Sequence, residues 1–335
     1  MKKRILKLGI IGAYGGQGRR IISCMCEETE KEYIVYEHDV MKKREHLEGI
    51  EYTIKDSLDS LLFCDGIIIA APTAEHFYYL NYLIEQNYKG YIFCEKPPVE
   101  TTTELQMLRH IGSEEKKKIL FGFNLRYSIY QQALEGWSGY DLGELRHCSV
   151  ISGHGLGYKD SYKNSWRNNK GKTKNGIFET VSIHYLDMFI DQFGKPLSSL
   201  ISPSIKAEAG MVWDNIMYNA VFMNGITLNV FNSYVSPFIN ETRMIFENGI
   251  IEINRNTVRI YYPRECFDDR GQYTTPPIVY EAESQNEIWE EAQKEILKVF
   301  LITIRELGEF SEEDFERALD TTEYILQITK DSMSR

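Results

Sequence analysis

Through its first 125 residues the chain alternates short apolar runs with helical segments, and this alternation limits the fold more tightly than any other feature. Ile5–Ile11, Gly66–Ala71 (GIIIAA) and Tyr91–Cys94 are too short for helices and mostly apolar, Gly66–Ala71 nearly all so. Such strands belong to a parallel sheet covered by helices on both sides. Runs 33–37 and 118–123 read as further strands, and segments 19–28, 74–86 and 103–113 as the covering helices.

The pattern changes near Asn124–Tyr130. Segments 144–152, 217–222, 227–234, 242–246, 250–253 and 258–262 read as strands, with Asn-Gly turn signals at 224–225 and 248–249. This predicts an antiparallel sheet, interrupted by one helix from Ile177 to Phe193 that Gly194 and Pro196 close. Two helices end the chain. One carries Ile288, Ala292, Ile296, Phe300 and Ile304 at four-residue steps, and the other opens with Ser311 and Asp314 as a capping box. The reading is an α/β domain with a doubly wound parallel sheet over 1–125. An α+β domain with a large, mostly antiparallel open sheet follows over 126–335, its last helices able to pack back on the first domain.

The 335 residues suit two domains, and 38 Lys plus Arg against 49 Asp plus Glu leave a net charge of −11. A surface this acidic argues against nucleic acid as partner. No apolar run reaches the roughly 18 residues of a membrane helix. The N-terminal MKKRILKLGIIGAYGG reads as a first strand rather than a signal peptide, since Lys7 breaks it and it dissolves into glycines. A cytoplasmic protein is expected, in keeping with six scattered cysteines. His110, His147 and His154 show no metal-ligand spacing, so no metal is expected.

The first strand runs into Gly12-Ala13-Tyr14-Gly15-Gly16-Gln17-Gly18 and then a helix. Glycines at such a turn let backbone N–H groups approach a pyrophosphate at the helix N-terminus. The spacing is G-x-x-G-x-x-G instead of the commoner G-x-G-x-x-G. The second strand ends at Glu37-His38-Asp39, where a carboxylate, Asp39 or Glu37, can bind the adenosine ribose 2′-OH and repel a 2′-phosphate. That favours NAD, while Arg44 keeps NADP open.

From here the sequence resembles the glucose–fructose oxidoreductase/inositol dehydrogenase (Gfo/Idh/MocA) family over nearly its whole length. The residues that carry the resemblance are Ala70-Ala71-Pro72-Thr73-Ala74-Glu75-His76, Cys94-Glu95-Lys96-Pro97-Pro98, Gly122-Phe123-Asn124-Leu125-Arg126-Tyr127 and Ile183-His184-Tyr185-Leu186-Asp187. The resemblance implies a Rossmann domain, a nicotinamide cofactor, a sugar, cyclitol or sugar-nucleotide substrate, and a homodimer or homotetramer built through the C-terminal sheet. By position it implies that Ala71, Pro72, Thr73 and His76 line the cofactor, with Tyr14 and Gln17 in the glycine loop. Glu95 and Lys96 are expected beside the nicotinamide ribose, Lys96 also reaching the substrate, and Asn124 close to both. His184 is expected to face Lys96 across the cleft. Trp166 and Arg167 resemble a Trp-Arg pair placed over the nicotinamide end. Arg126, Tyr158 and Thr180 join the expected substrate contacts. Many hydroxyl-oxidising members carry an aspartate four residues before the histidine; Thr180 stands there instead, which tilts the expectation towards sugar-nucleotide substrates.

Oxidising a sugar hydroxyl needs a hydride acceptor, which the cofactor supplies, and a base, for which Lys96 is the candidate. His184 would bind or relay to the reacting oxygen. Thr180, one helical turn earlier, is expected on the same face within reach of its ring. The expected function is hydride transfer between a nicotinamide and a ring carbon of a sugar or sugar nucleotide. Two rivals remain: a cofactor-binding sensor or assembly partner without turnover, and a reductase of a non-sugar substrate.

Overall fold

The computed structural model describes residues 5–29, 33–38, 52–54 and 57–333. They divide into two units, one formed by residues 1–124 with 293–327 and the other by 125–292 with 328–335. Each is described in turn.

The first unit is built on a six-stranded parallel sheet: β1 (Leu6–Ile11), β2 (Tyr33–His38), β3 (Tyr52–Ile54), β4 (Gly66–Ile69), β5 (Tyr91–Cys94) and β6 (Ile119–Phe121), in the order β3-β2-β1-β4-β5-β6. Ile10 pairs with Ile68, Ile68 with Phe93 and Phe93 with Leu120, so a continuous apolar row crosses its centre. The strand order reverses between β1 and β4, where such sheets open a crevice at the strands' carboxyl ends. Three helices follow strands: α1 (Gly16–Thr29), α2 (Thr73–Glu85) and α3 (Thr102–Arg109), the last with a capping box between Thr101 and Glu104. A single turn, α4 (Ser113–Lys116), leads into β6. The edge strand β3 is absent from the sequence reading, because three residues leave no measurable alternation.

In the second unit α5 (Ile129–Leu134) precedes an eight-stranded sheet. Its strands are β7 (Leu145–Gly153), β8 (Ser198–Ser204), β9 (Asn215–Val221), β10 (Thr227–Ser233), β11 (Ile239–Phe246), β12 (Ile250–Asn254), β13 (Thr257–Tyr261) and β14 (Ile278–Glu283). The order is β14-β13-β12-β11-β7-β10-β9-β8. Every neighbouring pair is antiparallel except β7 with β10, which run parallel. Strand alternation is clean: Ile216, Tyr218 and Ala220 are buried while Met217 and Val221 are exposed. Asn224 and Gly225 take the left-handed conformation their hairpin turn requires, at φ 62° and 75°. Helix α6 (Ile183–Phe193) packs on the buried face, where Phe189 lies 5.5 Å from Phe222. Strands β8 and β14 go beyond the sequence reading, since Ser-rich SSLISPS and half-exposed IVYEAE carry weak strand signals.

The helix expected from Ile177 to Phe193 is two pieces. Residues Phe178–Ser182 form a wide π turn, and only Ile183–Phe193 is α-helical. Side-chain bonds hold the wide turn. The Glu179 carboxylate accepts from Thr173 Oγ1 (2.8 Å), the Lys174 N–H (3.1 Å) and the Asn175 amide. Ser182 donates to Asn232 (2.6 Å).

The last two helices, α7 (Ile288–Glu306) and α8 (Glu312–Met333), give residues 293–327 to the first unit. There Phe93 meets Phe300 edge to face at 5.7 Å, and Phe121 lies 5.0 Å from Phe315. Arg109 bonds Glu316 and Asp320 at 2.9 and 2.6 Å. A Cβ on Gly66 would lie 2.7 Å from Ile304, so this strand start is shaped to α7. Among the described residues no helix is long and apolar enough to cross a membrane.

Candidate active site

In the first unit the chemistry-bearing residues sit after the carboxyl ends of β1, β4, β5 and β6. Gly12 takes φ +84°, and a Cβ there would meet the Ala70 carbonyl oxygen at 2.8 Å. The Gly15 N–H closes the turn onto the Gly12 carbonyl (3.0 Å). A Cβ on Gly18 would fall 2.3 Å from that same carbonyl, so Gly18 sets how closely α1 approaches β1. Gly16 has open space where a Cβ would be. No acidic side chain occupies the first turn of α1, so its N–H groups and dipole present uncompensated positive character. Arg19 lies over the Tyr14 ring, 5.9 Å from its centre, and bonds its carbonyl (3.2 Å).

Gln17, just inside α1, donates through Nε2 to Glu95 Oε1 (2.7 Å) and to Gln293 Oε1 (3.0 Å). Glu95 is 7% exposed. Burial pushes its carboxyl above the usual range, opposed by the Lys96 ammonium and the Gln17 N–H. Lys96 is half-buried beside it. Asn124, at the end of this unit, is 4% exposed, and its Oδ1 has no hydrogen-bond partner among the described residues.

His76 has a role the sequence reading did not give it. Its Nδ1 lies 2.8 Å from the Pro97 carbonyl oxygen and its Nε2 2.8 Å from that of Ala71. Both ring nitrogens are thus taken by backbone, and the ring ties the loop after β4 to the loop after β5 that carries Lys96. Burial lowers its pKa, and the two carbonyls oppose that shift. Thr73, 3% exposed, opens α2 beside half-buried Ala71 and Pro72. Asp39 and Arg44 lie outside the described residues, as does the side chain of Glu37.

These residues fit a bound dinucleotide. A turn that excludes Cβ atoms leads to an uncompensated helix N-terminus, and two buried polar atoms, Asn124 Oδ1 and Gln293 Nε2, have no hydrogen-bond partner among the described residues.

In the second unit His184 is 6% exposed, and its ring meets Trp289 edge to face at 4.7 Å. Two expected substrate contacts are committed elsewhere. Arg126 makes a two-pronged ion pair with Asp187, 2.6 Å on each prong, and reaches Asp191 at 3.3 Å. Thr180 Oγ1 donates to the Gly176 carbonyl (2.9 Å) and meets the Tyr234 hydroxyl at 2.5 Å. Because Thr180 lies in the π turn, the α-helical spacing that was to set it one turn before His184 does not apply. Tyr158 is 71% exposed, with its hydroxyl on the Val235 carbonyl (2.6 Å). Trp166 and Arg167 stack on each other at 4.4 Å. Arg167 also bonds Tyr234, whose phenol burial pushes up.

The structure therefore joins Gln17 to Glu95, Ala71 to His76 and Trp166 to Arg167. It adds Gln293, Trp289, Tyr234 and Asp187, which the sequence reading missed as partners. Asp187 alone had a usable signal, its place in the Ile183–Asp187 motif. Among the described residues no group of His, Cys, Asp and Glu side chains is placed to hold a metal ion.

The fold resembles a myo-inositol dehydrogenase from Corynebacterium glutamicum at 19% identity and TM-score 0.71, covering 96% of this chain and 94% of that one. It also resembles UDP-N-acetylglucosamine 3-dehydrogenase GnnA from Acidithiobacillus ferrooxidans at 18% identity and TM-score 0.72, covering 96% of both. A levoglucosan dehydrogenase solved with NADH and levoglucosan gives 18% identity, TM-score 0.72 and 96% of both chains. At these identities the likeness shows the shared fold. No curated protein sequence matches the chain. Residues 6–123 match the sequence model of the Gfo/Idh/MocA oxidoreductase family, an NAD-binding Rossmann fold.

Proposed function

We propose that this oxidoreductase transfers a hydride between NAD and a ring carbon of a sugar or sugar nucleotide. The observation that carries the reading is Lys96 beside the buried Glu95, directly after β5 and steadied by the His76 tie. When bound, the cofactor supplies the hydride acceptor or donor. Lys96 takes the proton of the substrate hydroxyl or returns it. Glu95 supplies the countercharge and orients Gln17. Asn124 offers its partnerless Oδ1 as an acceptor. His184, braced by Trp289, binds the reacting oxygen, while Arg126 holds α6 through Asp187 rather than touching substrate.

The open face of the eight-stranded sheet supports self-association. Ile151, Met217 and Phe231, with Ser149, Asn219 and Asn229, line a shallow cavity of about 470 Å³ there. A second copy of the chain would cover it, as a homodimer or homotetramer. Light scattering of Phe231→Glu tests this, since that charge should leave a monomer.

The deciding experiment is a turnover panel of sugars, cyclitols and nucleoside-diphosphate sugars with NAD and with NADP. Turnover with a sugar class and NAD supports the reading. NADH binding with no turnover of any of them would favour a sensor, a rival that Thr180 in place of the family's aspartate keeps in view.

A further inference from the structure

We infer that Gln293, on α7, is a cofactor-binding residue: its side-chain N–H donates to an oxygen of the pyrophosphate–ribose portion of the dinucleotide. The inference rests on the NAD-binding reading and adds a contact from the far end of the sequence, 276 positions from the glycine loop it touches.

Gln293 is 3% exposed. Its Oε1 accepts from Gln17 Nε2 at 3.0 Å, while its own Nε2 has no hydrogen-bond partner among the described residues. The amide cannot simply be reversed. Reversal would set two NH2 groups against each other at that distance. Turning Gln17 as well would point its Oε1 at the Glu95 carboxylate, now 2.7 Å from Gln17 Nε2. With Glu95 ionised, the chain of bonds from Glu95 through Gln17 fixes the remaining buried side-chain atom of Gln293 as a donor. A buried donor without an acceptor is costly, so such an atom marks a place where an external group completes the structure.

The location says which group. Gln17 lies directly after Gly16, at the N-terminus of α1, where the glycine turn excludes side chains and no acidic residue competes. A dinucleotide laid on that terminus brings phosphate and ribose oxygens, all of them acceptors. Gln293 adds a neutral donor to the backbone N–H groups of the cradle.

The test compares the wild-type full chain with Gln293→Met, which keeps length and removes the donor, and with Gln293→Glu, which keeps an acceptor for Gln17 and replaces the donor with a charge. NADH and ADP-ribose are titrated calorimetrically against each, and thermal unfolding is followed with and without NADH. Expected is about a tenfold rise in Kd for both ligands in Gln293→Met, a larger rise in Gln293→Glu, and a smaller NADH-induced gain in Tm. Without ligand, Gln293→Met removes the unsatisfied donor but also the acceptor for Gln17, so its ligand-free melting should fall by less than its NADH-bound melting does. Unchanged Kd values, or ligand-free melting that falls as far as ligand-bound melting, would overturn the inference and mark Gln293 as structural. Loss of NADH affinity with ADP-ribose unaffected overturns the placement on the pyrophosphate–ribose portion. A wild-type chain that binds neither ligand overturns the NAD-binding reading itself, and that result is read before any variant is made.

Discussion

The two sheets leave different places for chemistry. In the parallel sheet β1, β4, β5 and β6 are buried almost throughout, so polar side chains gather in the loops after their carboxyl ends: Gln17 after β1, Thr73 after β4, Glu95 and Lys96 after β5, Asn124 after β6. The eight-stranded sheet buries one face and leaves the other open; of its candidate residues His184 sits on α6 and Thr180 on the wide turn before it, while Arg126, Tyr158, Trp166 and Arg167 sit on short turns earlier in the chain. Residues at strand ends are aimed by the strands and by short-range bonds such as the His76 tie. Residues on a helix flank are aimed by whatever packs around them, and here Asp187, Tyr234 and Trp289 do that. The first unit should therefore show its defects in binding and turnover, and the second in folding.

Five substitutions sharpen or break this contrast. Lys96→Met should lower kcat by about 10²–10⁴ while NADH affinity changes little, as expected of an acid–base group. Wild-type kcat in that variant would remove Lys96 from the chemistry. His184→Asn should slow turnover less, because an amide still binds the reacting oxygen. Equal damage would move the acid–base role into the second unit.

Asp187→Ala comes next. It takes the two-pronged pair from the Arg126 guanidinium, of which only 10% is exposed, leaves it Asp191 at 3.3 Å, and should cost about 1–3 kcal/mol in denaturant unfolding. NADH affinity of the folded fraction should stay at the wild-type value. A stable Asp187→Ala protein with impaired NADH binding would break the contrast.

Gly18→Ala forces a Cβ to 2.3 Å from the Gly12 carbonyl and 2.9 Å from Ala13 Cα. Spreading α1 from β1 should cost about 1–3 kcal/mol and also weaken NADH binding, unlike the change at Asp187. Paired melting and calorimetry read both effects.

The smallest effect concerns pH. Burial raises the Glu95 pKa in the folded state above its unfolded value. The carboxyl's contribution is then fully present below its unfolded pKa and lost as pH rises through the folded one. Glu95→Gln abolishes that loss, so its Tm relative to wild type should climb as pH rises above the ordinary glutamate pKa of about 4.3. A constant difference would mean that Lys96 and Gln17 fully offset the burial.

The sequence by itself determined the layered parallel sheet, the glycine turn and the Glu95-Lys96 position. Each is a local pattern, a uniformly apolar run followed by residues that only a strand-to-helix turn accommodates. The hairpin at Asn224-Gly225 was legible for the same reason, since few residue pairs take positive φ twice. Only the tertiary structure decided the rest. The return of residues 293–327 to the first unit depends on Phe93 and Phe121 meeting Phe300 and Phe315, partners about 200 positions away. The wide turn at 178–182 arises because Glu179 answers to the loop at 173–175, overriding a helical pattern that continues unbroken in sequence. Arg126 reads like a substrate ligand until Asp187, 61 positions on, claims both prongs of its guanidinium. A side chain's type shows what it can bond to, and only packing shows which partner arrives first.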